Sequence, residues 1–167
     1  MNKILADMHT HTIASGHAYA TLTEMCKEAA NKGLEIYGIT EHSSGIPGTC
    51  ADIYFQNLRV VPRDLFGLDL RLGAEINIID YNGTLDLDQK YIDRLDFVVA
   101  GIHSVCYKFG SKEENTAAII NAIKNPNVNI ISHPDDGRCP LDYEALVQAA
   151  KEYHVLLEIN NNALRDK

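Results

Sequence analysis

Two histidines near the start of the chain could bind a metal ion. His9 and His11 are separated by one residue and come shortly after the apolar run Ile4-Leu5-Ala6. If residues 4–11 form a strand, both imidazoles point to the same side, because side chains along a strand alternate with a period of two. Neutral imidazole is the commonest metal ligand among protein side chains. A lone His-x-His segment is a weak signal, so its interpretation depends on the rest of the chain.

Further residues of metal-ligand type follow at the ends of predicted strands. They recur about every 30 residues, which is the length of one β-α unit. Histidines scattered over a surface would not keep step with the strands in this way. In a β/α barrel the carboxyl ends of the strands form the face where the chemistry is done. The sequence therefore predicts a metal site at that face, with the candidate ligands His9, His11, His17, His42, Glu75, His103 and His133.

Four other polar residues are given lesser roles. Glu41 precedes a candidate ligand in the same strand, so it should point to the opposite face and form an outward salt bridge. His154 closes a predicted helix, where a positive charge is favourable. Asp135 and Asp136 are expected in a turn, from which they could support the ligands.

Apolar strands and amphipathic helices alternate along the chain and would position these residues. The predicted strands are 4–11, 36–40, 70–79, 97–102, 128–132 and 155–160, and the predicted helices are 22–30, part of 52–65, 116–123 and 143–150. An Asn-Gly pair at residues 82–83 predicts a small hairpin over residues 78–87. The alternation predicts an α/β fold with parallel strands, wound either into an open sheet or into a barrel.

The composition is that of a soluble globular domain. The chain has 167 residues and a formal net charge of −8 at pH 7, which argues against a general nucleic-acid binder. No apolar run is long enough to span a membrane. The N-terminus enters a predicted strand at once and leaves no room for a signal peptide, so a cytoplasmic location is expected. The four cysteines are scattered, which favours reduced thiols over disulfides.

Successive motifs of the chain resemble those of the PHP family (polymerase and histidinol phosphatase), and most of all its small bacterial phosphatases. The matching segments are His9-Thr10-His11, His17, Thr40-Glu41-His42, Gly73-Ala74-Glu75, Gly101-Ile102-His103, Ile131-Ser132-His133-Pro134 and Leu157-Glu158-Ile159-Asn160-Asn161. The resemblance covers nearly the whole chain. It implies that residues 1–167 are a PHP domain with a distorted (β/α)7 TIM-like barrel, present here with about six β-α units. It also implies up to three zinc, manganese or iron ions and hydrolysis of phosphoesters.

The resemblance also implies which residues hold each ion. The first ion would be held by His9, His11 and Glu75, the second by Glu75, His103 and His133, and the third by His17 and His42. The family closes its site with a late Asp-x-His segment, and none follows Asn160 before the sequence ends at Lys167. The last β-α unit is therefore expected to be missing. From this we expect a weakened or inactive enzyme and a homo-oligomer that covers the strand at 155–159.

The predicted reaction is hydrolysis of a phosphate monoester of a small molecule by a metal-activated water. His9, His11, Glu75, His103 and His133 would be the catalytic residues, because clustered cations lower the pKa of water and neutralise the phosphate. Arg138, or else Arg59 or Arg63, could clamp the phosphate. Three alternatives remain open: phosphodiester cleavage of the exonuclease type, a non-catalytic metal- or phosphate-binding remnant, and an amidohydrolase. The last would normally need a lysine at a strand end.

Overall fold

Strands and helices alternate in the computed structural model of the chain, which describes residues 4–160. The strands are β1 (Ala6–Asp7), β2 (Ile36–His42), β3 (Asp69–Asn77), β4 (Phe97–Gly101), β5 (Ile130–Ile131) and β6 (Leu156–Leu157). Their order in the sheet is the order in the chain. The helices are α1 (Leu22–Asn31), α2 (Ile53–Asn57), α3 (Gln89–Ile92), α4 (Lys112–Ile123) and α5 (Tyr143–Tyr153). The predicted α/β alternation with six strands is confirmed.

The chain forms two compact units. The first consists of Met1–Glu75 and Leu87–Phe97, and the second of Ile76–Asp86 and Val98–Lys167. No helix within residues 4–160 has the length and apolar character that a membrane span would need. All four cysteines are free thiols, as predicted.

The first unit contains the parallel pairs β1–β2 and β2–β3. Their register places Ile36 opposite Asp69 and, at the other end, His42 opposite Glu75. Apart from Ile36, every residue of β2 is buried, which is typical of parallel strands covered on both faces. Leu70 and Leu72 of β3 are also fully buried. These strands therefore hold their last residues rigidly within the core of the unit.

The second unit contains the parallel pairs β4–β5 and β5–β6, with α4 before β5 and α5 before β6. Its core includes Val99, Ile131 and Leu146, each at most 1% exposed. The predicted hairpin is present in reduced form, as one antiparallel bridge between Ile78 and Leu85. Its turn uses Gly83, whose φ of 79° suits the Asn-Gly signal.

Two helices begin with a capping box, in which the cap hydroxyl and a glutamate three residues later satisfy each other's backbone N–H groups. Thr21 and Glu24 form such a box at the start of α1. The box of Ser111 and Glu114 was not predicted, and it makes α4 begin four residues before the predicted start. Helix α3 was also missed, because it is only four residues long.

The strands at the ends of the sheet are shorter than predicted. β1 covers two residues rather than 4–11, so His9 and His11 lie beyond it. The chain nevertheless continues beside β2, since the Thr10 carbonyl accepts a hydrogen bond from the Thr40 N–H at 2.9 Å. The Thr10 hydroxyl also donates to the Gly38 carbonyl at 2.6 Å. This irregular extension carries the two histidines past the end of the strand.

Candidate metal centre

A buried carboxylate oxygen in the first unit is surrounded by imidazole nitrogens. Glu75 is fully buried, and its Oε2 lies 3.1 Å from His9 Nε2. The same oxygen lies 3.3 Å from His11 Nε2 and 3.0 Å from His42 Nδ1. The parallel register explains the last contact, because His42 and Glu75 are direct neighbours on β2 and β3. Three nitrogen donors and one oxygen donor thus converge on a small volume.

These atoms have the spacing that a metal ion requires. Nε2 of His9 and Nε2 of His11 are 3.2 Å apart, and each lies 3.1–3.3 Å from Glu75 Oε2. Ligand atoms bonded to a tetrahedral zinc ion at about 2.0–2.1 Å stand about 3.3 Å from one another. A mixed imidazole and carboxylate set also suits manganese and iron. His9, His11 and Glu75 therefore fit the first ion that the resemblance to the PHP family implies.

A second group of possible ligands lies in the same unit. One nitrogen each from His11, His17 and His42 can be chosen so that all three lie within 4.8 Å of one another. The rings of His11 and His42 are stacked with centroids 4.4 Å apart, and His17 is 5.1 Å and 4.9 Å from them. Gly16, the residue before His17, has a φ of 76°, which favours glycine. A side chain at this position would also clash with the Gly48 carbonyl oxygen.

Glu41 does not have its predicted role. We expected an outward salt bridge, but the side chain is fully buried and accepts hydrogen bonds from the Thr12 N–H and hydroxyl and from the Ser15 hydroxyl. The prediction was wrong because it treated the face opposite His42 as exposed. Both faces of a parallel strand are covered, so this carboxylate faces a loop of the protein instead of solvent.

The contacts of Ser15 determine which nitrogen of His11 carries the proton. Its hydroxyl proton is donated to Glu41, and its oxygen already accepts from the His42 backbone N–H. His11 Nδ1 lies 3.0 Å from that oxygen and therefore donates to it. The lone pair of His11 is then on Nε2, the atom that faces Glu75. Burial lowers the pKa of His11, against the opposing effect of Glu75, and this favours the neutral ligand form.

The second unit contains the other two predicted histidines. The rings of His103 and His133 meet edge to face with centroids 5.1 Å apart. His133 follows β5 with a φ of 31°, which is unusual for a residue with a side chain. Its backbone N–H donates to Oε2 of Glu158, the residue after β6, at 2.7 Å. This hydrogen bond holds the backbone of His133 in place. Strained backbone at a strand end is typical of functional positions.

The other predicted residues have the following positions. His154 is the C-cap residue directly after α5 and has a left-handed conformation with a φ of 58°. Arg63 donates to Asp96 and to two backbone carbonyls, which is a structural arrangement. Arg138 pairs with Asp136 in the turn after β5, and Asp135 accepts from the Asn160 N–H there. The predicted set of Glu75, His103 and His133 draws on both units and remains a prediction.

Comparisons with known proteins identify the family of the chain. The PHP domain family matches residues 7–163, so the chain belongs to the PHP domain family. A probable phosphatase of Acetivibrio thermocellus is 48% identical over 96% of the chain and 67% of its own length. A probable phosphatase of Caldicellulosiruptor saccharolyticus is 50% identical over 93% of the chain and 65% of its own length. The chain thus spans about two thirds of the length of these relatives.

A solved structure shares the fold. It is the histidinol phosphate phosphatase from Lactococcus lactis subsp. lactis Il1403 in complex with zinc, L-histidinol and phosphate. The TM-score is 0.59 at 20% sequence identity, and the match covers 93% of this chain and 72% of that chain. The predicted fold class, a PHP-type TIM-like α/β fold, is confirmed.

Proposed function

We propose that the chain is part of a metal-dependent hydrolase that releases phosphate from monoesters of small molecules. The observation that carries the proposal is the carboxylate oxygen of Glu75, which has three imidazole nitrogens within 3.3 Å. Divalent ions held there would lower the pKa of a water molecule and neutralise the charge of a phosphate group. The names of the relatives, probable phosphatases, support the same reaction class.

The protein's own contribution is to hold and orient the ligand atoms. His9, His11 and Glu75 supply two neutral nitrogens and one negative oxygen, and Glu75 is fully buried. A divalent cation at this set leaves a local positive charge. That charge can attract an anionic substrate to a chain whose net charge is −8.

We further propose zinc as the first candidate ion, with manganese or iron as substitutes and up to three ions in all. Zinc and phosphate are present in the complex of the Lactococcus enzyme, and imidazole with carboxylate is a ligand set that zinc accepts. Arg138 remains the proposed phosphate contact. Its Nε lies 2.9–3.0 Å from the two carboxylate oxygens of Asp136 and its Nη2 also contacts Asp136, so a phosphate would have to share the guanidinium.

The test is a comparison of substrate classes with the purified 167-residue chain. We expect phosphate release at a low rate from p-nitrophenyl phosphate and from phosphorylated small metabolites when zinc or manganese is added, and none after treatment with a chelator. Faster cleavage of bis(p-nitrophenyl) phosphate would indicate a diesterase instead. Metal binding with no turnover of either ester would contradict the proposed hydrolase activity of this chain.

A further inference from the structure

A hydrogen-bond chain in the second unit ends on His103. Asn77, the last residue of β3, is fully buried, and its Oδ1 lies 2.7 Å from His103 Nδ1. Its Nδ2 donates to Asp86 Oδ2 at 2.6 Å, and its backbone N–H donates to Asp86 Oδ1 at 2.9 Å. The three side chains therefore form a continuous line from Asp86 through Asn77 to His103.

The chemistry of these groups gives the line one direction. An ionised aspartate accepts hydrogen bonds and donates none. The amide nitrogen of Asn77 must therefore face Asp86, and the amide oxygen must face His103. Because that oxygen can only accept, the proton of the neutral imidazole lies on Nδ1. The lone pair of His103 is then on Nε2.

We propose that Asp86 and Asn77 are positioning residues that fix His103 as an Nε2 ligand. The inference rests on the proposed function in one respect, because it takes His103 as a metal ligand. Ligand histidines commonly donate their second nitrogen to a fixed acceptor, which sets the tautomer and the ring orientation. Here the acceptor is an amide whose own orientation is set by a carboxylate.

The hairpin after β3 holds this carboxylate in place. The bridge between Ile78 and Leu85 returns the chain so that the Asp86 N–H donates to the Asn77 carbonyl at 3.2 Å. The turn packs against α4, because a Cβ added to Gly83 would lie 2.6 Å from the Ala122 nitrogen. The hairpin contains no candidate metal ligand, but it holds the carboxylate that orients Asn77 and, through it, His103.

The substitution Asp86→Asn should reverse the direction of hydrogen-bond donation along this line while leaving the size and shape of the side chains almost unchanged. The new amide must keep its oxygen on the Asn77 backbone N–H, so its nitrogen faces the Asn77 side chain. That side chain then turns over and presents its own nitrogen to His103. The imidazole must accept at Nδ1, and its proton moves to Nε2, where it blocks ligation.

The double substitution Asn77→Asp with Asp86→Asn should restore the original direction. A carboxylate at position 77 accepts both from the amide at position 86 and from His103 Nδ1. Asp80→Asn is the matched control, since Asp80 lies in the same hairpin and its Oδ1 accepts from the backbone N–H groups of Asn82 and Thr84.

The tautomer can be measured in the metal-free protein by long-range ¹H–¹⁵N correlation spectra at about pH 8, where imidazole is neutral. His103 is assigned from the signal lost in His103→Gln. We expect an Nδ1 proton in the wild type, the control and the double variant, and an Nε2 proton in Asp86→Asn. An unchanged tautomer in folded Asp86→Asn would overturn the proposal.

The second readout is zinc affinity by competition with a chelator. We expect Asp86→Asn to weaken one zinc site about 10–100-fold, and the double variant to recover it. A reversed tautomer with unchanged affinity would also overturn the ligand role. Failure of the proposed function is a separate result: phosphate release is then absent while the wild-type tautomer and zinc binding are as expected.

Discussion

At the residue scale, two fully buried glutamates on neighbouring strands have opposite surroundings. Glu75 faces imidazole nitrogens, which suit a shared cation, whereas Glu41 faces hydroxyl and N–H donors, which satisfy a carboxylate directly. Glu41 thereby orients Ser15, and Ser15 orients His11. The candidate ligand Glu75 and the supporting Glu41 thus have different contacts although they are the same residue type.

The Ser15 contact gives a residue-scale prediction. Ser15→Ala removes the acceptor of the His11 Nδ1 proton, so the ring loses its fixed tautomer and the affinity of one zinc site should fall about 10–100-fold. Ser132→Ala is the matched control, because that buried hydroxyl lies next to the candidate ligand His133 in sequence but contacts the Ala100 carbonyl. Chelator competition measures both variants. Equal affinities in the two variants would show that Ser15 does not orient a ligand.

The sequence was informative about ligands and uninformative about their supports. Histidines are rare, and their spacing by one β-α unit was enough to identify the candidate ligands. Ser15 and Asn77 are ordinary polar residues, and their roles arise from contacts with Glu41 and Asp86 that only folding creates. For Asn77 a weak signal existed, because it lies two residues after Glu75 and a strand alternates with a period of two.

At the scale of elements, the starts of α1, α4 and α5 are fixed by local caps. The Asp142 side chain accepts from the Ala145 N–H at the start of α5. This hydrogen bond is the main cause that lowers the pKa of Asp142, and the Lys112 ammonium 3.7 Å away adds to it. Strand lengths were harder to predict. β5 and β6 pair over two residues only, although apolar residues continue along the chain beyond the paired positions.

The Asp142 cap predicts a pH dependence. Because the pKa is lower in the folded state, the ionised cap stabilises the fold above about pH 4 and that contribution is lost as the pH falls through the folded pKa. Asp142→Asn keeps a good cap that does not titrate. Lowering the pH from about 6 to 3 should therefore reduce the melting temperature of the wild type more than that of the variant, as measured by thermal unfolding. Parallel curves for the two proteins would contradict this assignment.

At the scale of the whole molecule, the family assignment rests on residues 7–163, and the relatives extend beyond the part that this chain matches. The fold class could be predicted because each β-α unit carries its own local pattern. The homo-oligomer expected from the sequence depends on which apolar side chains stay exposed after folding. Within residues 4–160, β6 is the last strand of the sheet, with Leu156 65% exposed and Ile159 78% exposed.

We predict that the chain associates through this strand. An edge strand with apolar side chains recruits another strand, and a charge at the edge prevents this. Light scattering over a range of concentrations should give a mass above that of one chain, and Leu156→Lys should lower it. Val147→Lys, on an exposed position of α5, should leave it unchanged. A single-chain mass at every concentration would refute the association.

The central claim is that Glu75 holds a catalytic metal ion. The most direct measurement is the zinc content and the rate of phosphate release of Glu75→Gln beside Glu41→Gln, after removal of metal and titration with zinc. We predict that Glu75→Gln loses about one ion per chain and its metal-dependent activity, because a neutral amide is a poor zinc ligand. Glu41→Gln should keep its zinc, because its amide oxygen can still accept from Ser15. Equal zinc content and equal activity in the two variants would contradict the account.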